Sequence, residues 1–275
     1  MPQATLIYRA RRFSPNSVEN DRLILHLTGE RLRQKGFEVT EMTEEQLLAV
    51  GSLPPADVIF TMTREEESMR ILSQCDCPAV INSPSGIIRC SDRQALTRAM
   101  IEISVPVPPE HGTQGIWLKR SKGTAEVAED TVFCHTEDDV EKAMAMFHRR
   151  GIHEVVRQAH VEGDLVKFYG VAHTPFFYYF YPTDTGRSKF GSEAHNGMAH
   201  HYLFSLDALQ LSVNRLAQHI GVCVYGGDAI VRENGDFCII DFNDWPTFSP
   251  CRDEAADAIA SLATDSLCGC KVVET

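Results

Sequence analysis

Two aspartates and an asparagine near the C-terminal end, Asp228, Asp241 and Asn243, carry the most specific chemistry in the chain. They lie in GGDAIVRENGDFCIIDFNDWP, residues 226–246, where Asn234-Gly235 reads as a two-residue hairpin turn, because a type I′ turn needs positive φ at both central positions. With that pair as the turn, facing residues have numbers summing to 469, and Asp228 stands directly opposite Asp241. Asn243, two residues further on, points to the same face. Facing carboxylates repel unless a proton or a cation neutralises them. Oxygen donors from Asp, Asp and Asn suit a hard cation such as Mg²⁺, which keeps waters and takes further ligands from a phosphate. The alternative is an edge hairpin with solvated acids. Against it, the apolar runs Ala229-Ile230-Val231 and Cys238-Ile239-Ile240 place both acids in a buried ladder.

The elements that must hold this hairpin change character along the chain. Residues 4–9 read as a buried strand, 18–35 as a helix stopped by Gly36, 57–61 as a strand, 64–74 as a charged helix and 78–81 as a third strand. A turn follows at 82–86 and a helix at about 91–103. Strands alternating with helices predict a small parallel-sheet α/β domain over 1–104. Val105-Pro106-Val107-Pro108-Pro109 cannot continue a helix and marks a boundary. Beyond it, strands at 116–119, 131–134, 153–158, 164–172 and 175–181, helices at 136–149 and 205–219, the hairpin at 222–242 and a last helix at 252–265 predict an α+β domain over 105–275. Its two lobes would be about 105–170 and 171–275.

The 275 residues hold 26 Lys+Arg against 38 Asp+Glu, a formal charge of −12, with 43% apolar residues, so the chain reads as a globular protein with a real core. The acidic balance argues against a general nucleic-acid or anionic-membrane binder. No apolar run reaches the roughly 18 residues a bilayer span needs, and MPQATLIYRARRF turns polar too early for a signal peptide. Nine cysteines, none in a C-x-x-C pair, read as reduced thiols of a cytoplasmic protein. Oligomeric state is not legible.

Taken together, these segments resemble the ATP-grasp superfamily, in particular ligases like glutathione synthetase and RimK. Gly227-Asp228 before the hairpin and Ile240-Asp241-Phe242-Asn243 after it resemble that family's metal-binding end. Asn82-Ser83-Pro84 with Cys90-Ser91-Asp92-Arg93 resembles its "SP…DK" segment, with arginine where lysine is more usual. Val105–Pro109 resembles the boundary before the grasp domain, Ile116-Trp117-Leu118-Lys119 the strand whose lysine reaches phosphate, and residues 155–163 (VVRQAHVEG) the hinge that binds adenine. The resemblance implies an ATP-grasp fold behind a Rossmann-like pre-ATP-grasp domain, with ATP and one or two Mg²⁺ ions bound. It assigns Asp228, Asp241 and Asn243 to the metal, Arg93 and Lys119 to phosphate oxygens, and Lys167 to phosphate or acceptor. Backbone groups of Ala159 and Val161, with Gln158 nearby, would read adenine, and Glu162 or Asp164 the ribose hydroxyls. Ala159 stands where the family often has Glu, and the loop Ser121-Lys122-Gly123-Thr124-Ala125 has one glycine where many members have several.

The implied activity is carboxylate activation through an acyl phosphate, followed by attack of an amine or thiol on a small-molecule acceptor. The D-x-N pair and the VKFYGV strand at 166–171 also resemble inositol-phosphate kinases of the superfamily, so transfer to a hydroxyl is the second reading and a non-catalytic nucleotide binder the third. Other features stay open at this level. Lys189 and His195 could line an acceptor pocket, or belong to a polar loop. Arg9, Arg11 and Arg12 could hold an acidic acceptor, or be solvated. Ser249 and Arg252 open the last helix and could meet an anion, or merely cap it. Phe176–Tyr181 reads as a buried strand.

Overall fold

A computed structural model describes residues 1–14, 18–123, 127–185 and 195–267. Strands β1 (Gln3–Tyr8), β2 (Glu38–Thr43), β3 (Val58–Thr61) and β4 (Val80–Ile81) form a parallel sheet in the order β2-β1-β3-β4. The crossovers are α1 (Val18–Gln34), α2 (Glu44–Val50) and α3 (Glu66–Ser73). β3 is buried at every position, as expected of a strand covered on both faces. The sequence reading missed β2 and α2. β2 (EVTEMT) is an edge strand with no fully buried residue, so it lacks the apolar run that betrays a central strand. The segment read as a turn at 82–86 instead opens α4 (Pro84–Cys90), with the Ser83 hydroxyl accepting from the Gly86 amide and Pro84 in the first turn. α5 (Arg93–Glu102) follows.

Two antiparallel sheets come next. β5 (Ile116–Arg120), β6 (Thr131–Cys134) and β7 (Val155–Ala159) form one in the order β6-β5-β7, with α6 (Glu137–Arg149) packed on it around Ile116, Leu118 and Phe147. β8 (Asp164–Val171), β9 (Phe177–Phe180), β10 (Val224–Val231) and β11 (Phe237–Asp244) form the other in the order β11-β10-β8-β9. The short α7 (Pro182–Thr185), α8 (Leu206–Ile220) and α9 (Arg252–Leu267) complete the described elements. The aromatic run at 176–181 is half-buried rather than buried, because β9 is the edge of its sheet.

One apolar core runs from the parallel sheet into this second antiparallel sheet, joining Leu6 and Phe60 with Val224, Phe242 and Ile259. α1 lies against α9, with Arg31 donating to Asp253 and Asp257. The ends of β1 and β3 are thereby held against the hairpin β10–β11.

The hairpin pairs Asp228 with Asp241 as the sequence predicts, but by another route. Its loop holds three residues, Glu233–Gly235, between Arg232 and Asp236, and of these only Gly235 takes a positive φ (85°). The ladder nearest the loop therefore pairs Ile230 with Cys238 and Ala229 with Ile239, one residue off the expected sum. Ile240 then bulges, and the pairing 228↔241 is restored. Two one-residue shifts cancel.

Beside the bulge, Gly227 has no room for a side chain. A Cβ there would stand 2.3 Å from the Asp241 carbonyl oxygen and 2.5 Å from the Phe168 ring. Gly227→Ala is expected to destabilise the protein by about 1–3 kcal/mol, the range for overpacking, measured by chemical denaturation. A neutral result would show that β11 shifts freely relative to β10.

Candidate active site

Lys167 of β8, Asp228 of β10 and Asp241 of β11 form one row across three strands. Lys167 Nζ lies 3.1 and 3.2 Å from the two carboxylate oxygens of Asp228. Asn243, on the same face, donates its amide to Asp241 Oδ2 at 3.0 Å. Lys119 arrives from the three-stranded sheet and donates to the carbonyl of the bulged residue, Ile240, at 2.9 Å. The bulge thus restores the acid pairing and presents an acceptor to the lysine.

Arg93 is set by the start of α5. The Asp92 carboxylate accepts the amides of Gln94 and Ala95 and the Ser121 hydroxyl, while Arg93 N–H donates to the Ser121 carbonyl. The Arg93 side chain donates from Nη1 to the Arg120 carbonyl, and its Nε lies 3.7 Å from Asp241. That Nε is buried with no hydrogen-bond partner among the described residues, which suits an anionic oxygen arriving with a ligand.

Charge is balanced within this group. Burial pushes the Asp228 carboxyl up, and Asp241 adds to the rise, while Lys167 opposes it. Burial also acts to raise Asp241, but Arg93, Lys119 and the Asn243 hydrogen bond outweigh it and hold that carboxyl below its ordinary value. Burial, together with repulsion from Arg93, brings the Lys119 ammonium down.

These groups line a cleft of about 440 Å³. At one end Trp117, Ala159, Val161, Leu165 and Ile230 make an apolar slot, with the Trp117 indole donating to His160 at 3.2 Å. At the other end the wall comes from the parallel sheet: Arg9, Asp21 and Arg64, facing Asp244 and Trp245. Arg64 grips Asp244 bidentately at 2.8 and 2.7 Å, with both side chains largely buried.

The structure divides the residues singled out in the sequence. Arg93, Lys119, Lys167, Gln158, Ala159, Val161, Asp228, Asp241 and Asn243 all border the one cleft. Asp164 does not fit the ribose role. It is buried, and its two carboxylate oxygens accept the amides of His200 and Tyr202 at 2.7 and 2.8 Å. Glu162 opens instead on an adjacent groove beside His195 and Arg232. The Ala159 amide is committed to the Pro109 carbonyl at 2.7 Å, so only its carbonyl remains for a base to meet. His195 packs on Trp117 and Phe133 near the apolar slot, away from the acids. Arg9 lines the cleft, whereas Arg11 and Arg12 are exposed, Arg12 pairing with Glu65. Arg252 turns to Asn20 and the Thr247 carbonyl. Lys189, Thr124 and Ala125 lie outside the described residues.

Sequence reasoning missed Arg64, Asp244 and Glu44. Arg64 follows β3, at the strand end where open α/β sheets meet ligands, which was the available signal. Glu44 opens the unforeseen α2. Its buried carboxylate accepts the amides of Ala10, Arg64 and Glu65 at 3.0, 2.7 and 2.7 Å.

Asp164→Ala should leave the His200 and Tyr202 amides without acceptors. Charged hydrogen bonds of this kind contribute about 1.5–3 kcal/mol each, so exchange at these two amides should rise roughly ten- to a hundredfold. Unchanged protection by hydrogen–deuterium exchange would show that the anchor is unnecessary.

No family model matches the chain, and no curated protein matches it by sequence. Solved structures do. The chain is similar to D-alanyl-alanine synthetase A from Vibrio cholerae over 98% of its own length and 99% of that chain, at 12% identity and a TM-score of 0.69. It is also similar to a RimK domain ATP-grasp protein from Sphaerobacter thermophilus (16% identity, 95% and 99% covered, TM-score 0.62). A third is a D-alanine–D-alanine ligase from Bacillus anthracis complexed with ATP (10% identity, 98% and 96% covered, TM-score 0.61). The chain has the ATP-grasp fold.

Proposed function

We propose that the protein is a Mg-ATP-dependent ligase that activates a small carboxylic acid as an acyl phosphate and joins it to an amine or thiol. One observation carries this reading: the row Lys167–Asp228–Asp241 faces Lys119 and Arg93 across a cleft whose far side is an apolar slot. A purine fits the slot, and a triphosphate extending from it meets the cations.

The donor set fits a magnesium ion. Asp228 and Asp241 offer facing carboxylates and Asn243 an amide oxygen on the same face, which is hard-cation chemistry. Among the described residues there is no group of three His, Cys, Asp or Glu that could hold a metal, so phosphate oxygens and waters would supply the other ligands. Bound there, the ion would neutralise charge on the transferring phosphoryl group.

The chain's own part is positioning and charge. Arg93 Nε and Lys119 hold phosphate oxygens, and Lys167, which rests on Asp228 in the same row, is placed to meet the phosphate or the acid. A substrate carboxylate oxygen attacks the γ-phosphorus, the bond to the β,γ-bridging oxygen breaks and ADP leaves with its electron pair. The amine nitrogen then attacks the acyl carbon, inorganic phosphate leaves, and the nitrogen loses a proton. No protein nucleophile is required.

The lining charge favours this over phosphorylation of an inositol polyphosphate. Among the described residues five Lys and Arg side chains border the cleft (Arg9, Arg64, Arg93, Lys119, Lys167) against four Asp (Asp21, Asp228, Asp241, Asp244), too even a balance for a polyanion added to ATP. The test is an acceptor screen read by ADP and free phosphate, with mass spectrometry of the product. ADP and phosphate together, dependent on a carboxylic acid and an amine or thiol, support the ligase. ADP without phosphate overturns it in favour of a kinase, and Mg-ATP binding with no turnover favours a binder.

A further inference from the structure

We infer that Arg9 binds a carboxylate of the acceptor substrate at this end of the cleft. The inference rests on the ligase reading and adds the residue that recognises the acid. Arg9 leaves the C-terminal end of β1, the edge at which open α/β sheets receive ligands.

Its guanidinium borders the cleft and makes one short bond, to Asp21 at 3.0 Å. Its other contacts, to the carbonyls of Met62 and Trp245, are both 3.4 Å, beyond the usual N–H···O range of about 2.7–3.2 Å. Planar guanidinium donors match a carboxylate's two oxygens. Burial and the neighbouring Arg64 bring the Arg9 guanidinium down to about 10, against the opposing pull of Asp21, Asp244 and Glu44, which leaves it charged at neutral pH.

The surroundings hold Arg9 in place. Asp21 is itself held by the Ser14 hydroxyl at 2.6 Å. The Glu44 carboxylate clamps the backbone just after Arg9, at Ala10, and that of Arg64 and Glu65. A site whose cation is fixed before the ligand arrives loses little entropy on binding. Arg64 is matched bidentately by Asp244, whereas Arg9 makes a single short bond, to Asp21, so of these two arginines Arg9 keeps the donors for a carboxylate.

The probes are acetate, propionate, glycine and alanine, each against its primary amide, added to the full chain with and without Mg²⁺ and ADP and followed by thermal stabilisation. The acids should stabilise the protein and the amides should not. Arg9→Gln should weaken the apparent affinity for acids by about ten- to a hundredfold, the worth of a charged hydrogen bond, with ADP affinity unchanged. Arg9→Lys, which keeps the charge and loses the fork, should fall between. Equal stabilisation by acids and amides, none by any acid, or full retention in Arg9→Gln overturns the inference. The acid–amide comparison on the unaltered chain does not depend on the variants folding. Failure of ADP to bind would count against the nucleotide reading alone, because the acids are also tested without it.

Discussion

Asp241→Asn is expected to lower ATP-dependent turnover by about a hundred- to a thousandfold, the range for losing one preorganised electrostatic group from a buried site, while the protein remains folded. Asp241 is the point at which three sets of contacts meet: it faces Asp228, accepts from Asn243, and lies 3.7 Å from Arg93 Nε while helping to offset Lys119. The amide is nearly isosteric, so packing survives and the charge is lost. Two positive groups then face one carboxylate fewer, and a divalent cation held there as proposed would lose a donor. The variant should also lose the Mg²⁺ dependence of nucleotide affinity, measured by titration calorimetry with and without the metal. An unchanged rate, or an intact Mg²⁺ dependence, would remove Asp241 from the site.

The second large effect is on stability. Arg64 and Asp244 form a two-pronged pair between the end of β3 and the end of β11, with side-chain exposures of 12% and 3%. Removing one partner of a buried pair leaves the other charged and desolvated, which costs about 3–5 kcal/mol. Arg64→Ala is therefore expected to lower the melting temperature by about 10 °C. Because the cost arises from the orphaned carboxylate, Arg64→Met combined with Asp244→Leu should recover most of the loss. A single variant as stable as the parent would show that Asp244 finds another partner or reaches water. A double variant no better than the single would show that the parallel sheet and the hairpin β10–β11 depend on this ion pair in particular.

Much of the site is legible in the sequence because its residues lie on short stretches with strong local rules. A hairpin signal followed by D-x-N on an apolar strand fixes which side chains share a face, since alternation along a strand is a backbone property. Lys119 and Arg93 are legible through their segments, a strand and a capped helix start. The apolar slot is legible only in outline. A sequence shows that Ala159 is near the slot but not that Pro109 already holds its amide, nor that Asp164 is consumed by a loop from beyond residue 195.

What the sequence determined by itself is local: most of the strands and helices, and the parallel-then-antiparallel change at the proline stretch. What only the tertiary structure decided is which distant residues share the cleft. Arg9 and Arg64 reach it because an apolar core joins the parallel sheet to the hairpin sheet and holds the ends of β1 and β3 against β11. Such contacts join residues 180 positions apart, as in Arg64 with Asp244, or 236 apart, as in Arg9 with Trp245, and no periodicity along the chain encodes them. The hairpin shows the same division. A two-residue turn at Asn234-Gly235 predicts the pairing of the two acids, but the structure reaches it through a three-residue loop and a bulge at Ile240, and it is the bulged carbonyl that receives Lys119 from the other sheet.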